Sequence, residues 1–237
     1  MPNPYFQFKN FTVRHDRCPM KVGTDGTLLG AWVPLDGAHR VLDVGTGCGL
    51  IALMVAQRCA GASVVGVDND LQSVSQAKEN ALLSPWRDRI EVFAADFREM
   101  RIERGCEFDV IVSNPPFYEE DVECPNALRN SARHTSSLSF HDLTSVSSRL
   151  IAENGSLSVV VPANASQSFM SAAVRNGFYL TRMTTVHTKI GKPPKRALIS
   201  FSKSPVSAAF DDLCILDADG KYTPDYASLM KDFYLWA

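Results

Sequence analysis

The feature that most constrains this chain is Asp43-Val44-Gly45-Thr46-Gly47-Cys48-Gly49, three alternating glycines at the end of the apolar run Arg40–Gly45. Glycines at that spacing let the backbone turn sharply after a strand. They also bare the amides at the head of the following helix, where a ligand can approach closely. The segment therefore commits the chain to a strand, a ligand-facing turn and a helix over Gly49–Cys59. An acid two residues before the first glycine makes the turn a poor host for a pyrophosphate and a good one for a cation.

Reading outward, apolar runs of strand length alternate with helix-length segments. Strands are expected at Ser63–Asp68, Ile90–Ala94, Phe108–Ser113 and Ser156–Val161, and helices at Leu71–Leu82, Phe140–Ala152 and Ala165–Arg175. That alternation predicts an α/β fold with a mostly parallel sheet covered by helices on both faces. Phe178–Thr188 and Arg196–Phe201 follow each other across the short loop IGKPPK, which predicts an antiparallel pair at the sheet edge and seven strands in all. Residues 1–237 read as a single domain, with 1–39 as an N-terminal extension.

Two acids suit a nucleoside-bearing cofactor. Asp68, followed by Asn69, ends the second strand, where ribose hydroxyls are bound in such folds. Asp96 follows the third, where it can face an adenine amino group or simply cap a helix, with Phe97 available to pack on the base. A nicotinamide dinucleotide fits poorly: GxGxxG counted from Gly45 fails at Leu50, although from Gly47 it meets Ala52.

Asn114-Pro115-Pro116-Phe117 follows the fourth strand, at the sheet edge where ligands bind. Taken alone, prolines after an asparagine only stop a strand. Coming after the glycine loop, they resemble the [DN]PP[FYW] motif of methyltransferases that modify planar amino groups. The chemistry accounts for the residue types. The N6 lone pair of adenine is delocalised into the ring; acceptors on its hydrogens, the Asn114 oxygen and the Pro115 carbonyl, localise it for attack. The prolines remove competing donors, and Phe117 offers a face for stacking. A base in stacked nucleic acid would have to turn out to reach this turn.

The likeness extends along the whole chain. RHDRCPMKVGTDGTLLGAW (14–32), SPWRDRIEV (84–92), NPPF and the closing KDFYL resemble the bacterial tRNA1(Val) adenine-N6-methyltransferase family. The resemblance implies a Rossmann-like class I methyltransferase fold and S-adenosylmethionine as cofactor. It also implies methylation of the adenosine immediately 3′ of the anticodon in a valine tRNA. The family's cofactor positions fall on Asp43, Gly45, Gly47, Gly49, Asp68, Asp96 and Asn114. Its N-terminal block, here Lys21, Val22, Gly23, Thr24, Asp25 and Gly26, is implied to close over the methionine end of the cofactor. Phe117 departs from relatives with Tyr, which keeps stacking and loses a hydroxyl contact.

Charge bears on the partner. The net formal charge is −2, unlike a general nucleic-acid binder, yet Lys189, Lys192, Lys195, Arg196 and Lys203 occur without an intervening acid. Lys189, Lys192, Lys195 and Arg196 are the expected RNA contacts, with Arg129 and Arg133 second. Lys9, Arg14, Arg17 and Lys21 form another basic stretch, broken by Asp16. His134 is a weaker candidate base than packing residue, and the acidic run Glu119–Glu123 reads as a lid or a plain solvated loop. The six cysteines, at 18, 48, 59, 106, 124 and 214, form no CxxC and complete no zinc site, so no metal is expected. No segment reads as a signal peptide or membrane span; the cytosol and a monomer are expected. Guanine-N2 methylation of ribosomal RNA and methylation of a protein glutamine amide use the same turn chemistry and stay open as alternatives. A cofactor-binding protein without catalysis is disfavoured by the intact Asn114.

Overall fold

The computed structural model describes residues 3–115 and 138–237. The N-terminal segment contributes a small hairpin, β1 (Tyr5–Gln7) and β2 (Thr12–Arg14), and a helix, α1 (Thr24–Trp32). The alternating body follows: β3 (Arg40–Val44), α2 (Leu50–Arg58), β4 (Ser63–Asp68), α3 (Leu71–Leu82), β5 (Ile90–Ala94) and β6 (Phe108–Ser113). Beyond residue 137 come α4 (Phe140–Leu150), β7 (Ile151–Pro162), α5 (Ser166–Arg175), β8 (Tyr179–Lys189), β9 (Pro194–Ser202), β10 (Ala209–Leu216) and α6 (Pro224–Met230). Helix starts follow capping chemistry: Asp70 accepts from the Ser73 amide ahead of α3, Ser139 and Asp142 form a reciprocal box ahead of α4, and Thr223 precedes Pro224 at α6.

The large sheet has the order β10-β8-β9-β7-β6-β3-β4-β5. Every neighbouring pair is parallel except those of β9, which runs against both β7 and β8. The C-terminal ends of the seven parallel strands therefore share one edge of the sheet. One core, built by α1, α2, α3, α6 and the N-terminal hairpin, covers one face; α4 and α5 cover the other. Among the described residues no helix is long and apolar enough to cross a membrane.

The α/β architecture, the parallel order and the antiparallel pair agree with expectation. The sheet has eight strands where the sequence predicts seven. The eighth, β10, lies parallel to β8, so the β8–β9 hairpin is not outermost. Its sequence, AFDDLCIL, hides the strand because two acids interrupt the apolar pattern. Both are satisfied across the sheet: Asp211 accepts from Arg182 at 2.6 Å and from Thr184, and Asp212 lies 3.4 Å from His187. The helix expected to reach Ala152 ends at Leu150, and β7 begins at once at Ile151. The polar AENGS stretch that obscures this start carries a register shift against β6, and a Cβ at Gly155 would stand 2.6 Å from Ile151.

Residues 1–39 are more than an appendage. Phe8, Val13, Leu28, Leu29 and Trp32 are all in the core. Helix α1 is buried nearly all round, and it lies close on α2 because Gly30 has no side chain: a Cβ there would meet the Met54 sulfur at 2.7 Å. At its far end Trp32 Nε1 donates to Thr184 Oγ1 at 2.7 Å, fastening α1 to β8.

Candidate active site

The glycine loop leaves β3 with Gly45, Gly47 and Gly49 all at positive φ (69°, 54° and 81°), a conformation that side chains penalise. Among the described residues a Cβ at Gly45 or Gly47 would meet nothing within 4 Å, so these leave the loop's outer side clear, whereas Gly49 rests on Ala77. The inside of the loop is held by Asp43. Its carboxylate is fully buried and accepts from Thr46 Oγ1 at 2.7 Å and from the Ala52 amide at 3.1 Å, while Oδ1 has no partner among the described residues. Gly66 in β4 makes room for that arrangement, since a Cβ there would stand 2.9 Å from Thr46 Oγ1. Burial pushes the Asp43 carboxyl up to about 7, against the two hydrogen bonds, and the charge of Asp68 adds to the rise.

Asp68, at the end of β4, accepts from the Gly47 amide at 2.9 Å and from the Asp70 amide at 3.0 Å. It joins the loop to the second strand with an acceptor at the open side. Asn69 beside it is exposed. Asp96 does cap a helix, a single turn over Phe97–Glu99, and grips Arg98 with both oxygens; the Arg98 side chain holds its carboxyl below the ordinary range. Phe97, expected to lie on an adenine face, is 5 % exposed and packed in the second core. Cys48 is buried, and its thiol is pushed well up by the hydrogen bond with Cys18 and by burial, the opposite of a reactive thiolate.

Asn114 follows β6. The register pairs Val44 with Ser113, and Ser113 Oγ donates to the Val44 carbonyl at 2.8 Å. Gly45 and Asn114 thus leave the sheet side by side. The Asn114 Oδ1 atom is buried and has no hydrogen-bond partner among the described residues. Its Nδ2 faces α1: a Cβ at Gly26 would lie 4.0 Å from it and 3.0 Å from Leu50 Cδ2. Pro115 is buried beside it. Pro116 and Phe117 lie outside the described residues, as do Arg129, Arg133, His134 and the acidic run 119–124.

The N-terminal block therefore borders Asn114. Lys21, Gly23 and Thr24 are exposed there, and Asp25 is half-buried. Two long-range ties that sequence reasoning misses hold the block in place. Asn80 of α3, buried, accepts from the Arg14 amide at 3.0 Å and donates to the carbonyls of Arg14 and Cys48 at 2.8 Å each, joining β2 to the glycine loop. Arg196 of β9 donates to Asp25 Oδ2 at 2.7 Å. Spacing along the chain cannot announce such pairs; only an amide on the same face of α3 as Val74, Ala77 and Ala81 hints at the first.

The basic stretches separate cleanly. Arg14 and Arg17 pair with Glu79, and Lys9 Nζ donates to backbone carbonyls of the C-terminal segment, so the first stretch is largely committed to the fold. Lys192, in the loop between β8 and β9, and Lys195, at the start of β9, are exposed on the same sheet edge as Asn114, and Lys189 is half-buried. Among the described residues none of the three has an ion-pair partner. Arg196 does, and so differs from the neighbouring lysines.

Residues 21–184 match the Methyltransferase small domain family. The chain is 49% identical over 99% of its length to a protein of Phocaeicola vulgatus, and 43% identical over 98% to one of Enterobacter sp. (strain 638), covering 99% and 95% of those chains. Both are named tRNA1(Val) (adenine(37)-N6)-methyltransferase. Among solved structures, a predicted O-methyltransferase of Agrobacterium tumefaciens superposes with a TM-score of 0.68 at 23% identity, over 88% of this chain and 96% of that one. At that identity the likeness is one of fold.

Proposed function

The chain belongs to the tRNA1(Val) (adenine(37)-N6)-methyltransferase family, and from that premise we propose that it methylates N6 of the adenosine immediately 3′ of the anticodon in a valine tRNA. S-adenosylmethionine is the methyl donor. The residues present fit that cofactor. Space over Gly45 and Gly47 that the described residues leave clear, the Asp68 acceptor beside it and the buried Asp43 carboxyl, with one oxygen unpartnered among the described residues, suit a cationic nucleoside better than a pyrophosphate. Asp43, the glycine loop, Asp68 and Asp96 would hold it, with Lys21, Gly23, Thr24 and Asp25 closing from the N-terminal side.

The observation that carries the reading is the Oδ1 of Asn114, buried and without a hydrogen-bond partner among the described residues. A buried acceptor left bare costs roughly 1–3 kcal/mol, a cost relieved when a substrate N–H arrives. When bound, the cofactor supplies an electrophilic methyl on a sulfonium. Asn114 takes one hydrogen of the exocyclic amine, and the Pro115 carbonyl is suited to take the other. The nitrogen is thereby drawn toward tetrahedral geometry, with its lone pair freed from the ring. An amide oxygen is not a base, so the N–H proton leaves only after transfer, when the nitrogen is cationic and acidic. The work of the site is alignment.

The test is incubation of the protein with labelled S-adenosylmethionine and, separately, total tRNA, ribosomal RNA and glutamine-bearing protein substrates, followed by nucleoside and residue analysis. N6-methyladenosine in tRNA is expected. Label in ribosomal RNA or protein with none in tRNA would overturn the assignment.

A further inference from the structure

We propose that the stacked pair Tyr222–Trp236, with the lysines beside it, is a platform for an unpaired base of the RNA substrate, an inference that rests on the tRNA reading above. The two rings lie 3.9 Å apart between centroids and 12° from parallel, yet 49 % of Tyr222 and 45 % of Trp236 remain exposed. Their inner sides pack on Tyr226 and Tyr234, with ring centroids 5.3 to 6.0 Å apart. Tyr226, Met230 and Phe233 are buried and already anchor the C-terminal segment, so the outer pair adds apolar area that stays in water. Single exposed aromatics are ordinary; a stacked, half-exposed pair extends a parallel array on which a base can add a further layer.

Its position supplies the charge. Leu216 pairs with Lys189 in the sheet, the Ile190 amide donates to the Leu216 carbonyl at 3.0 Å, and Leu216 also bridges to Tyr222. Tyr222 therefore lies at the sheet edge that carries the basic loop, with Lys221 next to it in the chain. Of the acids flanking it, Asp217 accepts the amides of Asp219 and Lys221 through one oxygen, while Asp219 and Asp225 are exposed. In the other direction Trp236 touches Tyr234 at 5.3 Å, and the Tyr234 hydroxyl donates to Thr27 at 3.1 Å, one residue from Gly26 and hence from Asn114. The pair is thus linked by contacts both to α1 beside Asn114 and to the strand ends that carry the lysines. Aromatic faces beside lysines recognise single-stranded nucleic acid, and unstacked loop nucleotides are what an anticodon loop offers.

The experiment uses the full chain, tRNA and labelled S-adenosylmethionine. W236A and Y222A are each expected to raise KM for tRNA roughly tenfold while KM for the cofactor and the melting temperature stay put. W236F keeps a flat ring and should stay within roughly twofold of the parent. Binding of tRNA should quench tryptophan fluorescence in the parent far more than in W236F. If W236A loosens the C-terminal segment, Y222A decides alone. An active parent whose tRNA KM is unmoved by Y222A, or variants that change only self-association, would overturn the platform and leave the tRNA assignment standing. A parent that methylates no tRNA would overturn both.

Discussion

The two halves of the site are built on opposite terms. In the cofactor half, polar groups are mostly satisfied by near neighbours: Gly45 and Thr46 amides by the Val67 carbonyl, the Gly47 amide by Asp68, and one oxygen of Asp43 by Thr46 and Ala52. In the amine half, Asn114 Oδ1 is buried with nothing to accept from among the described residues. The first half is held rigid by its own loop; the second keeps an acceptor in waiting for the substrate. Asn114→Ala separates them most sharply. It should cut transfer roughly 10²–10³-fold, the range for losing one group that stabilises a developing transition state, with cofactor affinity by calorimetry nearly unchanged. Lost cofactor binding would mean that Asn114 belongs to the other half.

The exception within the cofactor half is Asp43, whose remaining oxygen also has no partner among the described residues. Its carboxyl is raised from an ordinary 3.8 to about 7, chiefly by burial. The folded chain thus holds this proton more tightly than the unfolded chain does. The stability it contributes is complete below about pH 3.8 and is lost as pH rises through 7. The substitution Asp43→Asn puts an uncharged isostere in the same place and removes that titration. Denaturant titrations across this window should therefore show a fall for the parent that exceeds the variant's by a few kcal/mol, as an order of magnitude. Equal pH profiles would place the carboxylate in a wetter site than the structure gives it.

The same division governs what can be read from the chain before folding. The cofactor half is local: glycine spacing, an acid two residues ahead and an acid closing the next strand all lie between Asp43 and Asp68, within one strand–helix–strand unit. Asn114 is legible too, because its prolines mark the end of a strand. What escapes is long-range. Asp25 and Arg196 are 171 residues apart. Asn80 looks like any polar residue on a surface helix until β2 is laid against it. Phe97 reads as a ligand platform because position after a strand says nothing of burial, and the core takes it. Strand β10 is hidden by acids that only Arg182, Thr184 and His187, on a neighbouring strand, make tolerable.

The Asp25–Arg196 tie offers the finest test of where the halves meet. Lys192 and Lys195 are exposed, so Lys192→Glu with Lys195→Glu should flatten the salt dependence of tRNA binding, by roughly 0.7 in log–log slope for each phosphate the variant no longer neutralises. Arg196 is next in sequence but half-buried, its guanidinium on a carboxylate in the first turn of α1, one residue from the glycine that abuts Asn114. Arg196→Met should therefore leave the salt slope nearly intact. Its effect should fall on the N-terminal block, as a several-fold rise in KM for the cofactor, consistent with roughly 1 kcal/mol for a partly exposed pair. Arg196→Lys, which keeps the charge but not the fork, should recover part of that loss. If Arg196→Met instead changes the salt slope as much as a lysine reversal does, the guanidinium reaches phosphate in the complex, and the ion pair with Asp25 must break when tRNA binds.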